Sequence, residues 1–128
     1  VNFAYFCIKK RISMEERVFK IIFSAEADEF LSALDAKVRK KILLNIDRVA
    51  CGEKNNILFS KLSDSDIWEF RTLFNKMIYR LFAFWDTESS TIIVTTHGIV
   101  KKTQKTPPKE IAKAEKIRQR YFELKKKK

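Results

Sequence analysis

The sequence has few of the residues that bend or cross-link a chain: two glycines, two prolines and two cysteines among 128 residues. So little glycine and proline argues against a loop-rich scaffold, and two cysteines are too few for a disulfide framework. Cys7 and Cys51 also lack the spacing of metal ligands, so both are interpreted as free thiols in a reducing compartment. The chain contains no glycine-rich phosphate-binding loop and no clustered carboxylates. We therefore expect neither a metal ion nor another cofactor.

Long apolar runs are also absent, because none approaches the roughly 18 residues that a membrane-spanning helix needs. The apolar residues 3–8 precede the basic residues 9–11, which is the reverse of their order in a secretory signal. We therefore expect a cytoplasmic protein without a membrane partner. A regular pattern begins at Met14, so we predict a single domain over residues 14–128 with a basic C-terminal tail. Residues 1–13 are treated as an N-terminal extension, either the product of an upstream start or a genuine extra segment.

Positive charge is in excess, and most of it lies at one end of the chain. The net charge is +11, with 27 basic and 16 acidic residues. From Lys101 onward there are 12 basic and 3 acidic residues, whereas the first 100 residues hold 15 basic and 13 acidic ones. This uneven distribution suits a polyanion or an acidic protein as partner. Two groups are interpreted as merely solvated: the final lysines at 125–128, and the helix residues Lys37, Arg39, Lys40 and Lys41.

Hydrophobic periodicity divides the chain into strands and helices. Ser24 is a candidate helix cap, Gly52 a helix stop, and Thr106-Pro107 a cap followed by a first-turn proline. The predicted elements are a strand at 18–23, a helix after residue 24, a helix at about 35–51, strands at 67–74, 77–86 and 91–100, and a last helix from 107. This order predicts an α+β fold, in which an N-terminal strand and a helical hairpin pack on a mainly antiparallel sheet of about four strands, with a C-terminal helix.

The two hairpins between the last three strands determine which side chains meet. A two-residue turn at Asn75-Lys76 places Arg71 directly opposite Arg80, and the second hairpin sets Arg80 beside His97. Side chains alternate between faces, so these three are expected on one side, which the last helix covers at most partly. The opposite side is predicted to be the core face, and it carries Trp68, Phe70, Phe74, Met77, Tyr79, Leu81 and Trp85.

Two arginines that face each other repel, so the pair indicates either a bound anion or a charge network that includes Glu69. Cleavage of an RNA phosphodiester needs charge on the phosphate stabilised, a 2′-hydroxyl deprotonated and the leaving oxygen protonated. Arginine, histidine and lysine side chains can supply these functions. The candidate catalytic residues are Arg71, Arg80, His97 and Lys101. The candidate residues for binding RNA or the ribosome are Lys76, Lys102 and Lys105.

Three segments resemble a known family. They are Trp68-Glu69-Phe70-Arg71, then Ile78-Tyr79-Arg80, then His97-Gly98-Ile99-Val100-Lys101-Lys102 with the Thr106-Pro107 that follows. With the order of elements over residues 14–124, they resemble the phage-derived HigB-like branch of the RelE/ParE toxin superfamily. The resemblance implies a RelE-like fold and the toxin of a type II toxin–antitoxin system. It also implies a ribosome-dependent mRNA endonuclease, or mRNA interferase, that a cognate antitoxin of the helix-turn-helix type neutralises.

The resemblance also suggests roles for individual residues. Arg80 falls where the family has a phosphate-contacting arginine, Arg71 matches the arginine of the first motif, and one of the lysines 101–102 matches a basic residue after the last strand. The position of His97 varies within the family, so its catalytic role rests on the hairpin register alone. Tyr121 lies on the apolar stripe of the last helix and is interpreted as a core residue, which leaves the proton-transfer group open.

Two other functions remain alternatives. The ParE-like branch of the same fold inhibits DNA gyrase and cleaves no RNA, and the row of arginines and lysine argues against it here. A non-catalytic nucleic-acid-binding module would need only the net charge of +11 and exposed aromatic residues. Growth arrest with cleaved messages would favour the enzyme, and retardation of RNA without cleavage would favour the binding module.

Overall fold

The computed structural model describes residues 18–127, so the predicted extension at residues 1–13 lies outside the described residues. The described chain forms three helices and five strands. In chain order they are β1 (Lys20–Phe23), α1 (Ala25–Ser32), α2 (Ala36–Ala50), β2 (Phe59–Lys61), β3 (Trp68–Phe74), β4 (Met77–Trp85), β5 (Ile92–Lys101) and α3 (Pro108–Lys126). The predicted α+β class is confirmed, with five strands where about four were expected. The additional strand, β2, is too short to show the alternation by which strands are predicted.

The five strands form one sheet in the order β1-β5-β4-β3-β2. The strands β2 to β5 pair antiparallel with their neighbours. The first strand, β1, instead pairs parallel to β5, from Lys20 opposite Ile92 to Phe23 opposite Thr95. Because β4 is the central strand, Arg80 near its middle lies in the interior of the sheet.

The ends of α1 and α2 follow from local sequence. Ser24 caps α1, because its Oγ accepts a hydrogen bond from the amide of Ala27 at 3.1 Å. The same hydroxyl donates to the carbonyl of Thr96 at 2.7 Å, which ties the start of α1 to β5. Gly52, which follows the end of α2, has a φ of +96°, a conformation that glycine adopts without steric cost. The predicted cap at Ser24 and the predicted stop at Gly52 are confirmed.

The start of α3 differs from the prediction. The helix begins at Pro108, and Pro107 occupies the capping position without a side-chain hydrogen bond. The hydroxyl of Thr106, predicted as the cap, instead donates to Oε1 of Glu69 at 2.8 Å. The segment before α3, residues 102–107, is thereby held against β3, and we call it the covering segment.

One face of the sheet packs on the helical hairpin. Leu31 of α1 and Ile42 and Ile46 of α2 are buried there against Phe70 and Leu81 of the sheet. Burial of this many apolar side chains is the main stabilising contribution in a domain of this size. The predicted core face is confirmed for Trp68, Phe70, Phe74, Tyr79, Leu81 and Trp85, which all belong to this cluster or pack against it.

The other face of the sheet packs on α3. Phe82, Phe84 and Val94 form a second, smaller cluster with Ala114, and partly buried residues of α3 pack around it. The expectation that the last helix covers this face at most partly, and leaves it open around Arg80, is wrong. Phe82 and Phe84 are fully buried, and so is Arg80, which lies further along the same face of β4.

Candidate functional site

The turn between β3 and β4 brings two arginines together. Asn75 and Lys76 have φ values of 48° and 65°, the positive values that a two-residue hairpin loop of type I′ requires. The pairing that follows from this turn puts Arg71 directly opposite Arg80. The predicted register of the first hairpin is therefore confirmed.

The second hairpin has a different register from the predicted one. Arg80 lies opposite Ile99 rather than beside His97. Relative to the predicted register, the pairing of β4 with β5 is shifted by one residue next to the turn. A β-bulge, in which Thr96 and His97 together lie opposite Phe82, shifts the pairing by one further residue. The prediction that His97 adjoins Arg80 is wrong, although both side chains lie on the face that α3 covers.

Arg80 is completely buried and ion-paired. Its Nε lies 2.7 Å from Oε1 of Glu69, and the side chain of Arg80 has no solvent exposure. Its Nη2 donates to the carbonyl oxygens of Thr103 and Gln104, at 2.9 and 2.6 Å. Its Nη1 has no hydrogen-bond partner among residues 18–127. Arg80 therefore does not line an open concave surface, because the covering segment closes over it.

Arg71 lies at the boundary of this covered region. It is half-buried, and its Nη2 donates to the side-chain oxygen of Gln104 in the covering segment. Arg71 also lines a groove of about 360 Å³, which we call the edge groove. The edge groove is lined chiefly by Lys41, Asn45 and Arg48 of α2, by Ile57, and by Arg71 and Leu73 of β3. The interpretation of Lys41 as merely solvated is wrong, because its Nζ donates to the carbonyl of Leu73 at 2.7 Å.

His97 is buried between the sheet and α3. Only 3% of it is exposed, and its ring packs on that of Phe82 with centroids 4.9 Å apart. Nδ1 lies 3.1 Å from Oγ1 of Thr96, and Nε2 lies 3.1 Å from Oε1 of Glu110. Burial lowers the pKa of His97 below its usual value, and the hydrogen bond with Glu110 only partly opposes this. Both ring nitrogens are thus occupied within the protein.

The predicted lysines surround the covered pair at the surface. Lys76 is exposed in the turn between β3 and β4, and Lys102 and Lys105 are exposed in the covering segment. Lys101 is half-buried at the end of β5, opposite Ile78. Because Ile78 lies two residues from Arg80 on β4, Lys101 occupies the same face as Arg80. The positive surface is therefore made by lysines, with the arginine pair beneath and beside it.

The far end of α3 is fixed to the loop after β4. Asp86 is buried and accepts hydrogen bonds from the hydroxyl of Tyr121 at 2.7 Å and from Nζ of Lys125 at 2.6 Å. The interpretation of Lys125 as merely solvated is therefore wrong. Burial alone would raise the pKa of Asp86, but these hydrogen bonds outweigh it and hold the pKa below its usual value. The ring of Tyr121 packs on Phe84 and Phe122, so its interpretation as a core residue is confirmed.

The groups that hold the site closed are not among the residues predicted from the sequence as site residues. Gln104, Thr106 and Glu110 bind Arg71, Glu69 and His97 respectively, and all three belong to the covering segment or to the first turn of α3. Within residues 18–127, no group of three or more histidine, cysteine, aspartate or glutamate side chains is placed to hold a metal ion. In the same range, no helix is both long and apolar enough to cross a membrane.

Comparison with known proteins places the chain in a family. Residues 29–119 match the family described as phage-derived protein Gp49-like (DUF891), and the chain belongs to that family. The match confirms the resemblance to a phage-derived branch that the strand motifs suggested. No curated protein matches the sequence.

Two solved structures are similar to this one. One is a chain of the intact RelBE toxin–antitoxin complex from E. coli, with 17% sequence identity and a TM-score of 0.49, covering 68% of this chain and 99% of that chain. The other is a chain of the RelBE2 toxin–antitoxin complex from Mycobacterium tuberculosis, with 17% identity and a TM-score of 0.45, covering 71% of this chain and 98% of that chain.

Proposed function

We propose that this protein is the toxin of a type II toxin–antitoxin system and that it cleaves messenger RNA on the ribosome without a metal ion. The resemblance of its strand motifs to the HigB-like branch supports this activity. The excess of positive charge after Lys101 suits a polyanionic substrate.

The observation that carries the proposal is the arginine pair. Arg71 and Arg80 lie directly opposite each other, and the carboxylate that balances them, Glu69, is ion-paired with Arg80. The guanidinium of Arg71 is bonded to the neutral side chain of Gln104 and reaches the edge groove. A phosphate can engage a guanidinium in a two-pronged hydrogen bond, so Arg71 is suited to bind one.

The proposed reaction is attack of a ribose 2′-hydroxyl on the adjacent phosphate. The hydroxyl loses its proton, its oxygen bonds to phosphorus, and the 5′-oxygen of the next nucleotide leaves and takes up a proton. Arg71 and Lys101 stabilise the negative charge that builds on the phosphate oxygens. Arg80 adds to this stabilisation, and His97 transfers a proton, only after the covering segment and the first turn of α3 have moved. The exposed lysines at 76, 102 and 105 bind the RNA backbone or the ribosome.

The second partner is the antitoxin, which we propose to be of the helix-turn-helix type. The lysines of the covering segment offer a complementary surface to an acidic segment, which blocks the site by lying across them or by displacing α3. Association between opposite charges is steered electrostatically, so its rate should fall as salt rises. An on-rate that does not depend on salt would contradict this mode of neutralisation.

The experiment that tests the proposed function is single-turnover cleavage of a ribosome-bound message. Replacing Arg71 by alanine should lower the rate by about 10²–10³, as for other groups that stabilise transition-state charge. Arg71→Lys should restore only part of the rate, because an ammonium keeps the charge but loses the two-pronged contact. Arg71 is only half-buried, so both variants should keep the melting temperature of the wild type.

The matched control is Arg120→Ala, because Arg120 is an exposed arginine on α3 outside the site. It should cleave at the wild-type rate. Equal rates for Arg71→Ala and wild type would show that Arg71 does not act on the phosphate.

One observation favours a second candidate function, that of a non-catalytic RNA-binding module. Arg80 and His97 are both buried and bonded to groups inside the protein, whereas the lysines at 76, 102 and 105 are exposed. A binding module needs only the exposed lysines. If the wild type retards RNA and leaves ribosome-bound messages intact, this second function is correct and the endonuclease proposal fails.

A further inference from the structure

The outer edge of β3 is paired along only part of its length. The short strand β2 pairs with β3 from Trp68 to Phe70, and the amide of Arg71 still donates to the carbonyl of Leu58 at 2.8 Å. Backbone groups of a strand point to the same side at every second residue, so those of Leu73 point to the same outer edge. No strand of the described chain lies beside Leu73 on that edge. Within the described chain, the end of β3 around Leu73 is thus a free strand edge.

The edge groove beside this free edge is cationic. Lys41, Arg48 and Arg71 line it, and no acidic residue of the described chain does. Within residues 18–127, Arg48 forms an ion pair with Glu53, and these two side chains are 45% and 39% exposed. The groove therefore has unbalanced positive charge, which suits carboxylate groups of a ligand.

Apolar side chains are exposed at the same place. Ile57 is 75% exposed and Leu73 is 60% exposed, although both are large aliphatic residues. Both line the edge groove. A free strand edge with exposed aliphatic side chains is a surface to which another chain can add as a strand.

We propose that the free edge of β3 binds an extended, acidic segment of a partner protein, which adds to the sheet as a further strand. Its backbone pairs with the amide of Leu73, its apolar side chains cover Ile57 and Leu73, and its carboxylates contact Lys41 and Arg71. This docking surface does not depend on RNA cleavage, because a strand can add here whether or not Arg71 acts on a phosphate.

A peptide fits this surface better than RNA does. A nucleic acid would supply negative charge, but it has no backbone groups that pair with a strand edge. Single-stranded RNA also binds through bases stacked on aromatic side chains, and Ile57 and Leu73 offer no aromatic ring. Lys41 now donates to the carbonyl of Leu73, and a lysine in this position also discourages unwanted strand pairing. An acidic segment overcomes that barrier because its carboxylates give the Lys41 ammonium a new partner.

The test uses a synthetic eight-residue peptide of alternating glutamate and valine with blocked ends. We expect it to bind the full-length protein and to slow hydrogen exchange of the Leu73 amide, as strand addition requires. Lys41→Glu should weaken binding by roughly tenfold or more, because it replaces an attraction by a repulsion. The matched control is Lys40→Glu, which changes the charge of an exposed neighbour on α2 and should bind like the wild type.

A second variant tests the contacts of Leu73, its amide together with its side chain. Leu73→Pro removes the amide without changing charge, and proline is tolerated on a free strand edge, so binding should be lost while the fold is kept. If this variant fails to fold, the comparison of Lys41→Glu with Lys40→Glu still tests whether the peptide binds at the edge groove. The proposal is overturned if the peptide does not bind, if both lysine variants bind equally well, or if only a single-stranded RNA protects the Leu73 amide.

Discussion

On one face of the sheet, α1 and α2 bury a continuous apolar cluster that includes Leu31 and Ile46. On the other face, α3 covers a smaller apolar cluster around Phe82 and Phe84, next to the ion pair of Arg80 with Glu69 and the hydrogen bond between His97 and Glu110. The first face stabilises the fold through burial of apolar surface, which does not require a specific partner for each side chain. The second face depends on individual contacts, because a buried charge that loses its partner is strongly destabilising. Function is therefore proposed on the face that is less tolerant of change.

The largest expected effect comes from breaking the charged part of the second face. Arg80→Met leaves the buried carboxylate of Glu69 without its partner and should lower the free energy of unfolding by about 3–5 kcal/mol. The double variant Glu69→Met/Arg80→Met should recover most of this loss, because it removes both charges. Urea denaturation of the two variants measures the difference. A single variant as stable as the wild type would mean that the pair is not buried in solution.

The apolar face should respond next most strongly. Leu31→Ala removes a fully buried side chain from the cluster under the helical hairpin and should cost about 2–5 kcal/mol. Ile111→Ala on α3 should cost clearly less, because the isoleucine side chain is already partly exposed. Chemical denaturation of both variants compares the two faces directly. Equal losses would show that α3 contributes as much apolar packing as the hairpin does.

α1 and β5 pack so closely at Gly98 that we expect no room there for an additional methyl group. A Cβ added at Gly98 would overlap the ring of Phe30, so Gly98→Ala should cost about 1–3 kcal/mol. The double variant Phe30→Leu/Gly98→Ala should lose less than the sum of the single variants, since the smaller side chain makes room. Thermal unfolding of all three provides the measurement. Strict additivity would contradict a direct clash.

The smallest expected effect is a dependence of stability on pH through His97. Burial holds its pKa in the folded protein below the usual value of about 6.5, so the unfolded chain binds the proton first as the pH falls. Stability should therefore decrease as the pH falls below about 6.5, until the folded protein is protonated as well. His97→Gln should lack this decrease in denaturation curves recorded from about pH 8 to pH 5. The same slope in both proteins would assign the effect to another group.

The sequence predicts the first hairpin better than the second for a physical reason. A two-residue loop at Asn75-Lys76 leaves only one register, and this register places Arg71 opposite Arg80. The longer loop before β5 does not fix the register, and the bulge at Thr96 and His97 adds a residue that no pattern of alternation shows. The residue opposite His97 therefore could not be predicted from the hairpin register.

The burial of Arg80 could be predicted only in part. Glu69 was recognised as a possible ion-pair partner, because its position follows from the register of the same hairpin. The contacts of Arg80 with Thr103 and Gln104 are made to their backbone carbonyls, which every residue type possesses. The path of the covering segment therefore cannot be inferred from the identity of its side chains.

The parallel pair of β1 and β5 has a consequence for the order in which the chain folds. Each residue of β1 pairs with a residue 72 positions further along, whereas β3, β4 and β5 are joined by short turns. Closing a long loop costs more conformational entropy than closing a short hairpin, so the local strands can assemble first. During synthesis β1 leaves the ribosome early but has no neighbour in the sheet until β5 has been made. Of the described strands, the first to be translated is therefore the last that the sheet can accept.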